Sequence, residues 1–197
     1  MTRQSLKNAL AESSVQLSDK DLDALLQSYN SLSIFPDVSK TLKKLRSAPD
    51  MHAVVFSNGT QDMVSASVTQ SPDLKGHADI FRDIVVVEEV QKFKPAPEVY
   101  HHLAQKVGKN PESGKEMEEV WVISGNPFDI VGARAVGMNA IWVDRSGTGW
   151  KDGLVQGDKG RPSEIVTSLE QAVPAVMATQ TVELTEQWNE LHGKRDT

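Results

Sequence analysis

The chain has 197 residues, 39% of them hydrophobic and 24% charged, the size and make-up of a single folded domain with a small appendage. It contains no cysteine, which excludes disulfides, thiolate metal sites and cysteine nucleophiles together. A net charge of −6 without a basic block argues against nucleic-acid or acidic-membrane binding, and no apolar run reaches membrane-span length, so the chain reads as cytoplasmic.

From the N-terminus, residues 2–13 place Leu6, Ala9 and Leu10, with Val15 beyond, at helical spacing. Ser18 is expected to cap a second helix, with Asp19 and Asp21 at its positive dipole end and an apolar stripe of Leu22, Leu25, Leu26 and Tyr29. Residues 33–37 break that pattern, and Asp37 is predicted to cap a third helix carrying Val38, Leu42 and Leu45 that ends before Pro49. Residues 53–56, Ala-Val-Val-Phe, then form an uninterrupted apolar run suited to a strand buried on both faces. The run stops at Ser57-Asn58-Gly59, and a helix follows over 60–69.

Strand and helix alternate from there. A strand is predicted at 84–87, a helix from Pro97, a strand at 120–124, a helix from Pro127 to about 136 closed by Gly137, and a strand at 140–143. Residues 146–160 read as loop, 164–167 as a last strand running into a helix over 168–177, and 178–197 as a polar tail, helical or disordered. Such alternation predicts a Rossmannoid α/β fold, a parallel sheet flanked by helices. The division is 1–35 as a partial helical cap, 36–180 as the α/β core and 181–197 as the tail.

In open parallel sheets, ligands sit at the carboxyl ends of the strands. Three such places here carry Ser57 and Asn58, then Lys94, then Ser124, Asn126 and Asp129. Hydroxyls, amides, one ammonium and one carboxylate suit the binding of an anion and the activation of a water. Each also has a plain reading: Ser-Asn-Gly as a turn, Lys-Pro as the preface to a helix, Asn126 and Asp129 as helix caps. Trp121 and Trp142 read as core packing. His101 and His102 are adjacent on a helix and do not share a face for a metal. The loop 146–150 lacks the lysine of a phosphate loop, and no serine-hydrolase elbow is present.

Taken in order, the segments 35–38 (Phe-Pro-Asp-Val), 57–59 (Ser-Asn-Gly), 93–100 (Phe-Lys-Pro-Ala-Pro-Glu-Val-Tyr) and 124–129 (Ser-Gly-Asn-Pro-Phe-Asp) resemble the haloacid dehalogenase superfamily, and within it the 2-haloacid dehalogenases. The resemblance runs from about residue 2 to residue 146. It implies hydrolysis of a carbon–halide bond in a small carboxylate-bearing substrate, without metal or other cofactor. An aspartate attacks the carbon, and water then hydrolyses the ester. Ser57 and Asn58 would hold the substrate carboxylate, with Tyr100 nearby. Lys94 would pair with the nucleophile, Ser124 and Asn126 would position groups around the ester, and Asp129 would orient or deprotonate the water. A homodimer is expected by the same analogy. The superfamily's phosphatases need Mg²⁺ and usually carry a carboxylate four residues before the last aspartate; that position is Gly125 here.

One motif of the pattern has no counterpart. The family's nucleophile strand precedes its cap helices, whereas residues 1–6 already resemble the middle of the cap, and no motif places Arg3 in the role of the cap arginine. Lys94 is then expected to lack its partner, and residues 54–56 to have an unsatisfied strand edge. Another segment fills the gap, a partner does so, or Met1 is not the true start. A catalytically inactive remnant that binds a small anion or a protein is the alternative reading, and a metal-dependent phosphatase of the same superfamily is a further one.

Overall fold

The computed structural model describes residues 3–28, 33–153 and 155–192. Its five strands are β1 (Ala53–Ser57), β2 (Phe81–Val86), β3 (Trp121–Ser124), β4 (Asn139–Val143) and β5 (Glu164–Val166). Every ladder is parallel: β1 pairs with β2 in one sheet, and β3, β4 and β5 lie in that order in a second. Val55 faces Ile84 in the first sheet, and Ile123 faces Ile141 in the second. The α/β architecture with parallel strands flanked by helices is the one the alternation predicts.

The helices are α1 (Arg3–Glu12), α2 (Asp19–Ser28), α3 (Val38–Arg46), α4 (Gln61–Gln70), α5 (Pro97–Lys106), α6 (Gly114–Glu118), α7 (Pro127–Ala135) and α8 (Ala172–His192). Their starts obey local chemistry. Ser18 Oγ accepts the Asp21 N–H, the Thr60 side chain accepts from Met63 N, and prolines open α5 and α7 where no intrahelical N–H is needed. Gly137 leaves α7 with a φ of +88°, a conformation that costs glycine nothing. Leu6 and Leu22 are the buried residues of α1 and α2, and Arg3 pairs with Asp19 at 2.8 Å and with Asp23 across them.

One core lies under both sheets. Val99, Tyr100 and Leu103 of α5 and Ile130 and Ala133 of α7 pack with Val85, Val122, Ala140 and Trp142, and Val54 and Phe56 of β1 lie against the same cluster. On the opposite face, Ile141, Val143 and Val166 meet Ala172 and Val176 of α8. β4, with a strand on each side, buries Ala140, Ile141, Trp142 and Val143, whereas all five residues of β1 are only half-buried. No helix among the described residues is long and apolar enough to cross a membrane.

Several local expectations are corrected. Asp37 makes no side-chain cap bond to α3. Its carboxylate takes the Arg145 guanidinium in a bidentate pair at 3.1 Å to each oxygen and the Leu169 N–H at 2.8 Å. A planar cation with two aligned donors outcompetes the single N–H that a cap offers. The second strand starts earlier, at Phe81, and Val87 begins a short 3-10 turn. Ser113 caps the short α6, which apolar periodicity did not signal. Residues 169–171 form a 3-10 turn closed by a Ser168/Gln171 capping box, and α8 continues to His192, so most of the polar tail is helical. Tyr29 lies outside the described residues.

Candidate active site at the strand ends

β1 ends on Ser57, whose hydroxyl accepts the Gly59 N–H at 3.0 Å and tightens the turn. That turn points Asn58 across to the segment before α5, where its side-chain oxygen accepts the Lys94 backbone N–H at 2.9 Å. The Lys94–Pro95 peptide is cis. So placed, the Lys94 ammonium donates to the Phe56 carbonyl at 3.2 Å and stands 4.5 Å from the centre of the Phe56 ring. It also lies 3.1 Å from Asp129 Oδ1, and the two side chains are only 8% and 6% exposed.

Among the described residues, the carboxylate that meets Lys94 is Asp129, which is not the nucleophile that the resemblance pairs with this lysine. The reason is geometric. Asp129 sits in the first turn of α7, and β3 and α7 carry it to the C-terminal end of β1, 35 residues of chain beyond Lys94. A lone ammonium in this apolar setting would be costly, and the carboxylate opposite removes most of that cost.

Ser124 ends β3 and donates to Asp129 Oδ2 at 2.7 Å, while its oxygen accepts the Asn126 N–H at 3.0 Å. Asn126 stands at the start of α7, exposed and without a side-chain cap bond. Tyr100 is fully buried on α5; its hydroxyl donates to the Asp129 carbonyl at 3.3 Å, and its ring meets Phe56 edge-on at 5.5 Å. Burial, with the neighbouring Asp129 charge, pushes the Tyr100 hydroxyl well above the ordinary tyrosine range, so it stays a neutral donor.

The structure thus joins Lys94, Asp129 and Ser124 directly, Asn58 through the backbone of Lys94, and Tyr100 through the backbone of Asp129. Ser57 and Asn126 flank this group without touching its charged atoms through their side chains in any contact seen among the described residues. Together the set presents an ammonium, a carboxylate and a hydroxyl at the carboxyl ends of two strands. Such a set can hold an anion and orient a water.

Sequence reasoning missed three contributors. Phe56 serves Lys94 with both ring and carbonyl, and no residue pattern announces a carbonyl. Gly132 lies inside α7, where a Cβ would stand 2.3 Å from the Tyr100 hydroxyl oxygen; a glycine in a helix interior was a readable sign of close approach. Asp144, buried after β4, accepts from Ser146 Oγ at 3.0 Å, Thr148 N at 3.2 Å and Gly149 N at 2.8 Å, and so shapes the loop that brings Trp150 against Trp142. Burial raises the Asp144 carboxyl, but these donors outweigh it and hold the group below its ordinary range. Among the described residues, no group of three or more His, Asp or Glu is placed to hold a metal ion.

The profile of the haloacid dehalogenase-like hydrolases matches residues 2–137. The chain is 31% identical over 145 residues to (S)-2-haloacid dehalogenase of Xanthobacter autotrophicus, covering 74% of this chain and 52% of that protein. It is 32% identical over 146 residues to (S)-2-haloacid dehalogenase 1 of Pseudomonas sp. (strain CBS-3), covering 74% of this chain and 59% of that one. Its backbone superposes on L-2-haloacid dehalogenase of Xanthobacter autotrophicus with chloropropionic acid covalently bound, at a TM-score of 0.71 and 25% identity, over 89% of this chain and 74% of that one. The chain spans about half the length of the curated relatives it matches first, 49% and 52%. On the profile match and these relatives, the chain belongs to the haloacid dehalogenase-like hydrolases.

Proposed function

We propose that this site serves dehalogenase-type hydrolysis of a small 2-halocarboxylate. The observation that carries the reading is the buried group Lys94–Asp129–Ser124, set beside Asn58 at the carboxyl ends of β1 and β3. In the reaction the resemblance implies, an aspartate carboxylate, for which residues 1–197 carry no matching motif, attacks the carbon bearing halogen, the C–X bond breaks, and halide leaves with its electron pair. Water then attacks the ester carbonyl and frees the 2-hydroxy acid. Asp129 takes the role of orienting and deprotonating that water, with Ser124 and Asn126 holding its surroundings. Ser57 and Asn58 hold the substrate carboxylate, Tyr100 braces Asp129, and Lys94 supplies the balancing cation. Residues 1–35 act as part of a helical cap that tunes specificity, and the working form is a homodimer.

The metal-free form of the chemistry is favoured by how Asp129 is used. Both its oxygens face an ammonium or a hydroxyl, and Gly125 stands where a phosphatase carries its second carboxylate, so a hard cation finds few oxygen ligands. A second reading, an inactive anion- or protein-binding remnant, is favoured by one observation: among the described residues, the carboxylate that meets Lys94 is Asp129 itself, already engaged with Ser124.

Chloride release from (S)-2-chloropropionate decides between them. Release that disappears in Asp129→Asn and Lys94→Ala supports the hydrolase. Binding of the halocarboxylate with no release supports the remnant.

A further inference from the structure

Arg145 lies just beyond the carboxyl end of β4, and its side chain is held on two sides. Nε and Nη2 donate to the two oxygens of Asp37 at 3.1 Å each, and the guanidinium carbon stands 4.1 Å from the centre of the Phe35 ring. Asp37 is itself fixed, by the Leu169 N–H at 2.8 Å and the Ser168 hydroxyl at 3.4 Å. A guanidinium has five N–H donors, and the Asp37 pair engages Nε and Nη2 only. Among the described residues Nη1 makes no hydrogen bond, and it lies 4.0 Å from where a Cβ on Gly125 would stand. Gly125 joins Ser124, which donates to Asp129, to Asn126. We propose that Nη1 of Arg145 receives a second carboxylate on the ligand, so that the substrate class is a 2-halo dicarboxylate and Arg145 sets that specificity. The proposal rests on reading the strand ends as a site for a small carboxylate.

The guanidinium is aimed before any ligand arrives. The Asp37 pair fixes its plane and the Phe35 ring covers one face, so little rotamer freedom remains to be lost when Nη1 meets an acceptor. The Arg145 side chain is 30% exposed, which leaves it reachable from solvent. The turn carries no side chain at Gly125, so none projects from that position toward Nη1. Ser124 and Gly125 are adjacent, about 3.8 Å apart at Cα. A short carbon spacer therefore joins a carboxylate at Nη1 to a carbon that reacts beside Ser124 and Asp129. A planar fork of donors matches a carboxylate better than it matches a neutral group of the same size.

Charge points the same way. The net charge of −6 repels a dianion in general, so a preference for one needs a local cation. Lys94 is 8% exposed and already meets the Phe56 carbonyl and Asp129, which leaves the second carboxylate to Arg145. The Asp37 charge is shared among Arg145, the Leu169 N–H and the Ser168 hydroxyl, on the side of the guanidinium away from Nη1.

The test measures, by calorimetry on the 197-residue chain, the binding of inert 2-hydroxy acids that correspond to the reaction's products. 2-Hydroxyglutarate is set against 2-hydroxyvalerate, which has the same carbon chain with a methyl in place of the second carboxylate. The diacid is expected to bind about tenfold more tightly or better, as one charge-assisted contact implies. Arg145→Lys keeps a cation opposite Asp37 but gives up the arm toward Gly125, and is expected to bring the ratio of the two affinities to about one by weakening the diacid. Arg145→Gln should do the same in a preparation that circular dichroism shows to be folded. Equal binding of the two acids by the parent overturns the proposal. So does a ratio that survives in Arg145→Lys, because both acids then depend on Arg145 only through the fold. Chloride release from 2-chloroglutarate and 2-chlorovalerate is read on the same protein. Release without a diacid preference leaves the hydrolytic reading standing and overturns the proposal. A diacid preference without release from either acid counts against hydrolysis and supports the second-carboxylate contact. Binding of neither acid overturns both.

Discussion

Replacing Lys94 by Met is the sharpest probe of the site. The change keeps the aliphatic stem against Phe56 but removes the ammonium 3.1 Å from Asp129 Oδ1. Asp129, 6% exposed at its side chain, is then left with the Ser124 hydroxyl as its hydrogen-bond donor. Breaking a buried pair by removing one partner costs about 3–5 kcal/mol, because the other charge stays buried and uncompensated. For a chain of this size that corresponds to a fall in melting temperature of roughly 6–20 °C. Urea denaturation at neutral pH measures it, with Lys94→Met, Asp129→Asn and the double variant forming a cycle. The double variant is expected to recover most of the loss, since an amide opposite a thioether carries no stranded charge, giving a coupling energy of about 2 kcal/mol or more. A single-variant cost below about 1 kcal/mol, the value of a solvated surface pair, would refute the reasoning that the pair is shut away from water.

Gly132→Ala puts a Cβ 2.3 Å from the Tyr100 hydroxyl oxygen, and overpacking of this kind costs about 1–3 kcal/mol. Combined with Tyr100→Ala, the two losses should sum to clearly less than their separate values in urea melts; strict additivity would show that Tyr100 does not fill that space. Arg145→Gln leaves Asp37, 13% exposed, without its bidentate donor and is expected to cost about 1–2 kcal/mol. Burial raises the Asp37 carboxyl, but the Arg145 and Leu169 contacts prevail and hold it below its ordinary range. Its stabilising share is therefore present above the unfolded carboxyl value of about 4 and fades as pH falls through the folded value. Acid unfolding of Arg145→Gln should accordingly show a flatter dependence below about pH 4 than the parent. Asp144→Ala removes the acceptor for Ser146, Thr148 and Gly149 and should speed proteolysis within 146–150 and shift Trp150 emission to the red; unchanged cleavage would mean the loop is held by Trp150 packing alone.

Much of the fold could be read locally because its signals are local. Apolar runs of four or five residues marked β1, β3 and β4, and prolines and a glycine marked the bounds of α5 and α7. The tail was ambiguous because its composition is polar. Its threonines resolve that by bonding their own helix: Thr179, Thr181 and Thr185 donate to the carbonyls four residues back, which suits continued helix as well as it suits solvent. Asp37 misled for the same reason that caps are common. An acid before a helix is an adequate cap until a guanidinium 108 positions away arrives with two donors.

The site divides along the same line. The sequence by itself determined that Ser57, Asn58, Ser124 and Asn126 stand where strands end, since a run of β-branched residues halted by polar turn residues needs no distant information. It also determined the kind of chemistry those ends could hold. That Lys94 meets Asp129, that Phe56 lends a carbonyl to it, and that among the described residues β1 pairs with β2 and β3 with β4 were decided only in three dimensions. Strand formation follows from neighbours two residues apart, but the partner of a strand edge or of a buried charge is whatever the packed helices bring within about 3 Å. In this molecule α5 and α7 do that bringing, through the close approach of Tyr100 to Gly132 and to the Asp129 carbonyl.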